Sequence, residues 1–231
     1  AGPDSQATLL NRNYRKDGSV IWVEWHNSAL RDADGRLVSI LSFAQDVSTR
    51  IQAEERLQYM ATHDGLTGLP NRLVLNDRLT AALARAQRSG HGVGVVFLDL
   101  DHFKDVNDTH GHAIGDDVLR TVAKRIEGTL RQEQIVGRIG GEEFVVLLPD
   151  TTPQQALVAI ERVRKAVGET SIPVTGDGEV WITVSGGIAP LLDGMPVTVA
   201  MGHADKAMYR AKALGRNRVE VFGAVEEPVG G

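Results

Sequence analysis

Near the start of the chain, apolar residues fall between regularly spaced turn signals. Val20-Ile21-Trp22-Val23-Glu24-Trp25 follows Asp17-Gly18, and Leu37-Val38-Ser39-Ile40-Leu41-Ser42-Phe43 follows Asp32-Ala33-Asp34-Gly35. Runs of this kind between Asp-Gly turns predict strands. About three antiparallel strands are expected over 8–46, a sheet too thin to hold a core without a packing partner. The period then lengthens. Ile51, Ala53, Leu57, Met60 and Ala61 form one stripe, with Arg50, Glu54, Glu55 and Arg56 outside it, which predicts a helix over 48–61. Ser48 or Thr49 can cap it. Such a helix suits either packing on its own domain or a short parallel coiled coil between two chains.

From residue 62 the pattern alternates between strand and helix. Helices are expected over 72–88, 115–130, 153–167 and 199–214. Strands are expected over 93–99, 180–189 and 218–222, with a hairpin of 135–138 and 144–148 around Gly140-Gly141. This order fits an α/β (α+β) fold, a mixed central sheet covered by helices in the ferredoxin-like or palm style. The expected organisation is a small antiparallel element over 1–47, a linker helix over 48–61, a main domain over 62–223 and a tail over 224–231.

Composition narrows the chemistry. The formal net charge of −5 over 231 residues argues against non-specific binding to nucleic-acid polymers. With no cysteine, disulfides, thiolate nucleophiles and Cys-zinc sites are excluded. The most apolar run, residues 93–98, is far shorter than the roughly 20 residues that span a bilayer. A cytoplasmic location is expected. The opening Ala1-Gly2-Pro3-Asp4-Ser5 lacks Met and a signal-peptide pattern, so the natural chain is expected to extend at both ends.

The candidate chemistry is carboxylate chemistry. Phe97-Leu98-Asp99-Leu100-Asp101 ends a buried strand in acids, and a buried carboxylate is costly unless paired or metal-bound. Strand alternation sends Asp99 and Asp101 to one face and Leu100 to the other. Glu142 and Glu143 follow two glycines at the hairpin turn. If the hairpin strand lies beside the 93–99 strand, these acids converge as hard oxygen ligands suited to Mg²⁺. The same residues also fit a solvated turn and a loop cap, so their types alone leave both readings open.

Four motifs together carry a resemblance. Gly140-Gly141-Glu142-Glu143-Phe144 resembles the GGDEF signature in its GGEEF form. Asp99-Leu100-Asp101-His102-Phe103-Lys104 with Asn107-Asp108 resembles the segment preceding it in that family. His63-Asp64-Gly65-Leu66-Thr67-Gly68-Leu69-Pro70-Asn71-Arg72 is similar to the family's opening motif. Ala204-Asp205-Lys206-Ala207-Met208-Tyr209 and Lys212-Ala213-Leu214-Gly215-Arg216-Asn217 are similar to its closing one. The likeness to a diguanylate cyclase domain covers roughly 60–223. Residues 8–46, with the Asp46-Val47-Ser48 exit, resemble the C-terminal part of a PAS sensor domain.

The resemblance implies a nucleotidyl cyclase palm that condenses two GTP into cyclic di-GMP, releasing two pyrophosphates. It implies Mg²⁺ or Mn²⁺, two per site, held by Asp99, Glu142 and Glu143 with the Leu100 carbonyl. Glu142 is further implied in deprotonating the attacking hydroxyl. Asn107 and Asp116 fall at the guanine-reading positions, although Asp116 also reads as an N-cap and Asn107 as a turn residue. Lys104, Lys212 and Arg216 fall at triphosphate-binding positions, with His102 and Phe103 offering backbone N–H groups; Lys212 and Arg216 also read as a basic helix end. One such domain holds one GTP, so a homodimer is implied. The inhibitory product site of many relatives, Arg-x-x-Asp, is here Arg131-Gln132-Glu133-Gln134, with Arg162 at an assisting position. Loss of its acid implies weak product inhibition.

Overall fold

The computed structural model describes residues 6–89, 92–174, 178–191 and 195–223, so the tail expected over 224–231 lies outside the described residues. Close packing within the chain divides it into two units, Ala1–Met60 and Ala61–Gly231.

The first unit contains three antiparallel strands, β1 (Gln6–Tyr14), β2 (Val20–Arg31) and β3 (Leu37–Asp46), in that spatial order. Both Asp-Gly turns form as their sequence implies. Gly18 and Gly35 take φ of 83° and 79°, values that glycine tolerates best. Asp17 accepts from the Ser19 N–H, and Asp32 from those of Asp34 and Arg36. Among the described residues before Met60, only Val23 and Val47 are buried. The helix α1 (Ser48–Thr62) follows, joined to the sheet by a hydrogen bond from Trp22 N–H to Ser48 Oγ. None of its residues is buried, and Leu57, Tyr59 and Met60 are exposed.

The second unit is built on β4 (Val93–Asp101), buried along its whole length. It is flanked by β6 (Glu143–Pro149) and β9 (Thr183–Leu191), both antiparallel to it. The hairpin partner β5 (Ile135–Gly140) lies on one edge and β10 (Val219–Val221), parallel to β9, on the other. The spatial order is β10-β9-β4-β6-β5. Side-chain alternation divides the core. Val96, Leu98 and Leu100 pack with residues of α4 (His112–Thr129) and α5 (Pro153–Gly168), while Val93, Val95 and Phe97 pack with α2 (Arg72–Ser89) and α6 (Val197–Ala213). This is the mixed sheet, covered by helices on both faces, that the pattern predicts.

Three local expectations need correction. Phe103–His110 forms a separate eight-residue helix, α3, whose buried residues are only Phe103 and Val106. Two anchors are too few to register as a helical stripe. The following helix starts at His112, not at residue 115. The strand expected over 180–189 is interrupted: β7 (Ile172–Val174) and β8 (Gly178–Val180) form their own small hairpin, and β9 begins at Thr183. Arg125 and Arg162 tie α4 to α5: Arg125 donates to the carbonyl of Val167 in the last turn of α5 and to those of Thr170 and Ser171 beyond it, and Arg162 to that of Thr129. These carbonyls near the two helix ends thereby gain charged donors.

Candidate active site

The register of the central strands builds the site. Asp99 on β4 faces Glu143 on β6 as a direct cross-strand partner. Like charges opposite one another are unfavourable. Glu142 sits in the turn that connects the hairpin, where Gly140 and Gly141 take φ of 147° and 52°, and its carbonyl accepts from the Leu100 N–H at 3.4 Å. The turn is therefore drawn against the end of β4. On the same face of the sheet, α6 ends with Lys212, whose Nζ lies 2.8 Å from Asp99 Oδ1.

The electrostatics follow from this crowding. Burial pushes the Asp99 pKa up, Lys212 opposes that, and the charges of Glu142 and Asp101 add to the rise. Burial also raises Glu143, helped by Asp99, Asp205 and Glu142. Carboxylates held together against their own repulsion fit a divalent cation, which replaces repulsion with two attractions. Among the described residues, no three Asp, Glu or His side chains are already gathered at ligating distance; Asp99 instead rests on Lys212.

Beside these acids lies a cleft of about 200 Å³ lined by Asp99, Leu100, Asp101, His102, Phe103, Lys104, Asp105, Glu142, Lys212 and Arg216. His102 precedes α3 with φ 59°, which aims the first turn of that helix at the cleft. First-turn N–H groups lack intrahelical partners and suit anions. Across it, Arg216 and Asn217 are consecutive non-glycine residues at φ 62° and 45°, a conformation costing roughly 1–2 kcal/mol per residue. Asn107 on α3 and Asp116 on α4 occupy the two limbs of a helical hairpin. The Asn107 Oδ1 sits where a side chain on Gly115 would stand, so glycine there lets the limbs close. Because α4 begins at His112, Asp116 is in the second turn and is not an N-cap.

Arg131 and Arg162 lie apart from this cleft, on a cavity of about 300 Å³ that Gln134, Asp150 and Gln155 also line. Gln134 Oε1 accepts from the Arg131 N–H at 3.0 Å, which turns the residue replacing the usual acid back on its own loop.

Sequence reasoning left Arg138 without a role. Its Nη1 contacts both oxygens of Asp64, at 2.9 and 3.0 Å, and its Nε donates to the Gly141 carbonyl at 2.9 Å. The opening motif is thereby joined to the hairpin turn. Burial works to raise the Asp64 pKa, but hydrogen bonds from Thr67 and Arg138 outweigh it and leave the group below the usual aspartate value. Sequence reasoning also missed Thr183, Ser185 and Asn217, which converge on Asp101. Nothing in their spacing signals a contact across more than eighty residues.

Comparison with known proteins places this geometry in a family. Residues 61–218 match the family described as diguanylate cyclase, GGDEF domain. Diguanylate cyclase DgcP of Pseudomonas aeruginosa is 38% identical over 195 residues, 83% of this chain but 29% of that protein. Cyclic di-GMP phosphodiesterase PdeR of Escherichia coli is 39% identical over 187 residues, 80% of this chain and 28% of that protein. The chain thus spans under a third of the length of either. Among solved structures, the coiled coil and GGDEF domain of DgcB from Caulobacter crescentus, in complex with c-di-GMP, is 35% identical. It aligns with a TM-score of 0.70 over 76% of this chain and 93% of that one. With matched residues spanning most of the chain and every strand of the central sheet except β10, the chain belongs to the GGDEF diguanylate cyclase domain family.

Proposed function

We propose that this chain condenses two GTP molecules into cyclic di-GMP, each of two facing domains supplying one bound nucleotide. The observation that carries the reading is the register pair Asp99–Glu143, with Glu142 at the turn and Lys212 against Asp99. Asp99, Glu142, Glu143 and the Leu100 carbonyl would hold Mg²⁺ or Mn²⁺. A divalent cation held there supplies Lewis acidity toward α-phosphate oxygens.

The chain's own residues do the rest. Lys104, Lys212 and Arg216 hold the triphosphate, lysine as a point charge and arginine as a fork, with the His102–Phe103 backbone against the phosphate oxygens. Asn107 and Asp116 read the guanine edge through its N1 and N2 donors and O6 acceptor. Glu142 accepts the proton of a 3′-hydroxyl. The oxygen bonds to the α-phosphorus of the facing nucleotide, and the bond to pyrophosphate breaks. A second, symmetric transfer closes the ring. Two domains facing each other replace a chance encounter of bound nucleotides with a high effective molarity. The exposed stripe of α1 is the proposed means of pairing chains, and the 6–46 sheet is the proposed remnant of a PAS-type sensor.

Incubation with GTP and Mg²⁺, followed by product identification, tests the reading. Cyclic di-GMP from the wild type, and none from Glu142→Ala or Glu143→Ala, is expected. GTP binding without product favours a second reading, a GTP-binding regulatory module, for which the 39% identity to a phosphodiesterase is the supporting observation. Product inhibition is proposed to be weak, since Gln134 lacks the acid's charge. Half-inhibition by cyclic di-GMP well below working GTP concentrations contradicts this.

A further inference from the structure

Asp101 stands two residues beyond Asp99 on the same face of β4, and strand alternation alone would make it a further metal ligand. Its hydrogen bonds point elsewhere. Oδ1 accepts from Ser185 Oγ at 2.6 Å. Oδ2 accepts from Thr183 Oγ1 at 2.7 Å and from the Asn217 N–H at 3.0 Å. A carboxylate offers about four acceptor positions, and three are filled by protein donors. Asp101 is 4% exposed and Ser185 fully buried.

The third donor matters most, because Asn217 is part of the strained turn that carries Arg216. Among the described residues, other hydrogen bonds also hold that turn. The Arg216 N–H donates to the Ala211 carbonyl at 3.0 Å, and the Gly186 N–H to the Arg218 carbonyl at 2.9 Å. Arg164 on α5 donates to Asn217 Oδ1 at 2.8 Å. Among the described residues, only the Asp101 bond joins the turn to the strand that bears the active-site acid. We infer that Asp101 is a positioning residue: its carboxylate fastens the Gly215–Asn217 turn to the end of β4 and so fixes Arg216, and the end of α6 with Lys212, at the phosphate side of the cleft. This deepens the proposed function and rests on it for the identity of the ligand, whereas the latch itself is a property of the fold.

Two replacements separate a latch from a metal ligand. Asp101→Ala removes the acceptor and frees the turn. GTP KM is expected to rise about tenfold or more, with kcat changing by less than about threefold. Asp101→Asn is expected to recover most of the affinity, because its amide oxygen can face the Asn217 N–H while its NH₂ donates to the Ser185 hydroxyl. A metal ligand behaves otherwise: Asp101→Asn would then lose kcat, as is expected of Asp99→Asn, and that result overturns the inference. In an Arg216→Ala background the KM effect of Asp101→Ala should largely vanish; full additivity also overturns it.

A readout independent of turnover keeps the two proposals apart. Hydrogen exchange at the Asn217 amide is expected to accelerate at least tenfold in Asp101→Ala, while β4 and α5 amides keep their protection. Unchanged protection at Asn217 refutes the latch even if the chain is an active cyclase. Lost protection supports it even if GTP is not the ligand. Should Asp101→Ala fail to fold, Thr183→Val combined with Ser185→Ala removes two of the three donors and loosens the carboxylate; the same acceleration at Asn217 is then expected, and its absence counts against the latch.

Discussion

Glu143 and Asp99 are held facing each other in a folded chain that resists their charge. For Glu143 the folded pKa lies above its ordinary value of 4.5. Between that value and the raised one, the folded state binds more protons than the unfolded state, so stability falls as pH rises through this window and stays lowered above it. Glu143→Gln removes the penalty. Without metal, the variant is expected to melt higher than the wild type at about pH 7, the difference closing toward about pH 4. Added Mg²⁺ should raise the wild-type Tm more than that of the variant. A variant that melts lower at neutral pH contradicts the assignment. Gly115→Ala tests a different contact. Alanine improves helix propensity by about 1 kcal/mol, but its side chain would displace Asn107. The Tm is expected to stay within a few degrees, while GTP KM rises about tenfold; an unchanged KM would remove Asn107 from the binding site. The acids and the basic residues that line the cleft were legible in motif order, yet the need for glycine at 115 was not, because it arises from a helix, α3, with only two buried anchors.

Elements meet at the site through one arginine. Arg138 leaves β5 to join the opening motif at Asp64 and the turn at Gly141, and the pair is mostly shielded, with side chains 11% and 21% exposed. Breaking such a pair strands the partner carboxylate, so Arg138→Ala is expected to cost about 2–3 kcal/mol and to lower kcat as the Glu142 turn loosens. Chemical denaturation and steady-state kinetics check both. Because the Asp64 pKa is lowered from 3.8, its contribution is present above the ordinary aspartate range and is lost only as pH falls through the lower folded value. Asp64→Asn should therefore be destabilising at neutral pH and converge with the wild type in strong acid. Long, strongly patterned elements such as β4, α5 and α6 were legible to within a few residues. The β7–β8 hairpin and the break before β9 were not, since apolar residues continue through Trp181 and Ile182 and a chain bend leaves the composition unchanged. The role of Arg138 depends on a partner 74 positions away, beyond the reach of any local period.

At the scale of the whole chain, core and exposed apolar surface are divided unequally. Both apolar clusters lie within Ala61–Gly231, whereas among the described side chains of residues 7–60 only Val23 and Val47 are buried, and Leu57 and Met60 stand exposed on α1 at 66% and 61%. The second unit therefore has what it needs to fold alone, and the first has what a second copy could cover. Removing residues 1–60 is expected to leave cooperative unfolding and GTP binding in place. Turnover per chain should drop about tenfold or more at low concentration, since two half-sites must then meet by diffusion. The deficit should close as chain concentration rises, giving a rate of higher order in enzyme. Leu57→Glu with Met60→Glu should reproduce that dilution dependence in the full chain, where light scattering would report loss of the dimer. Equal specific activity for the shortened and full chains across all concentrations would show that pairing comes from the second unit by itself, and would leave α1 as a connector.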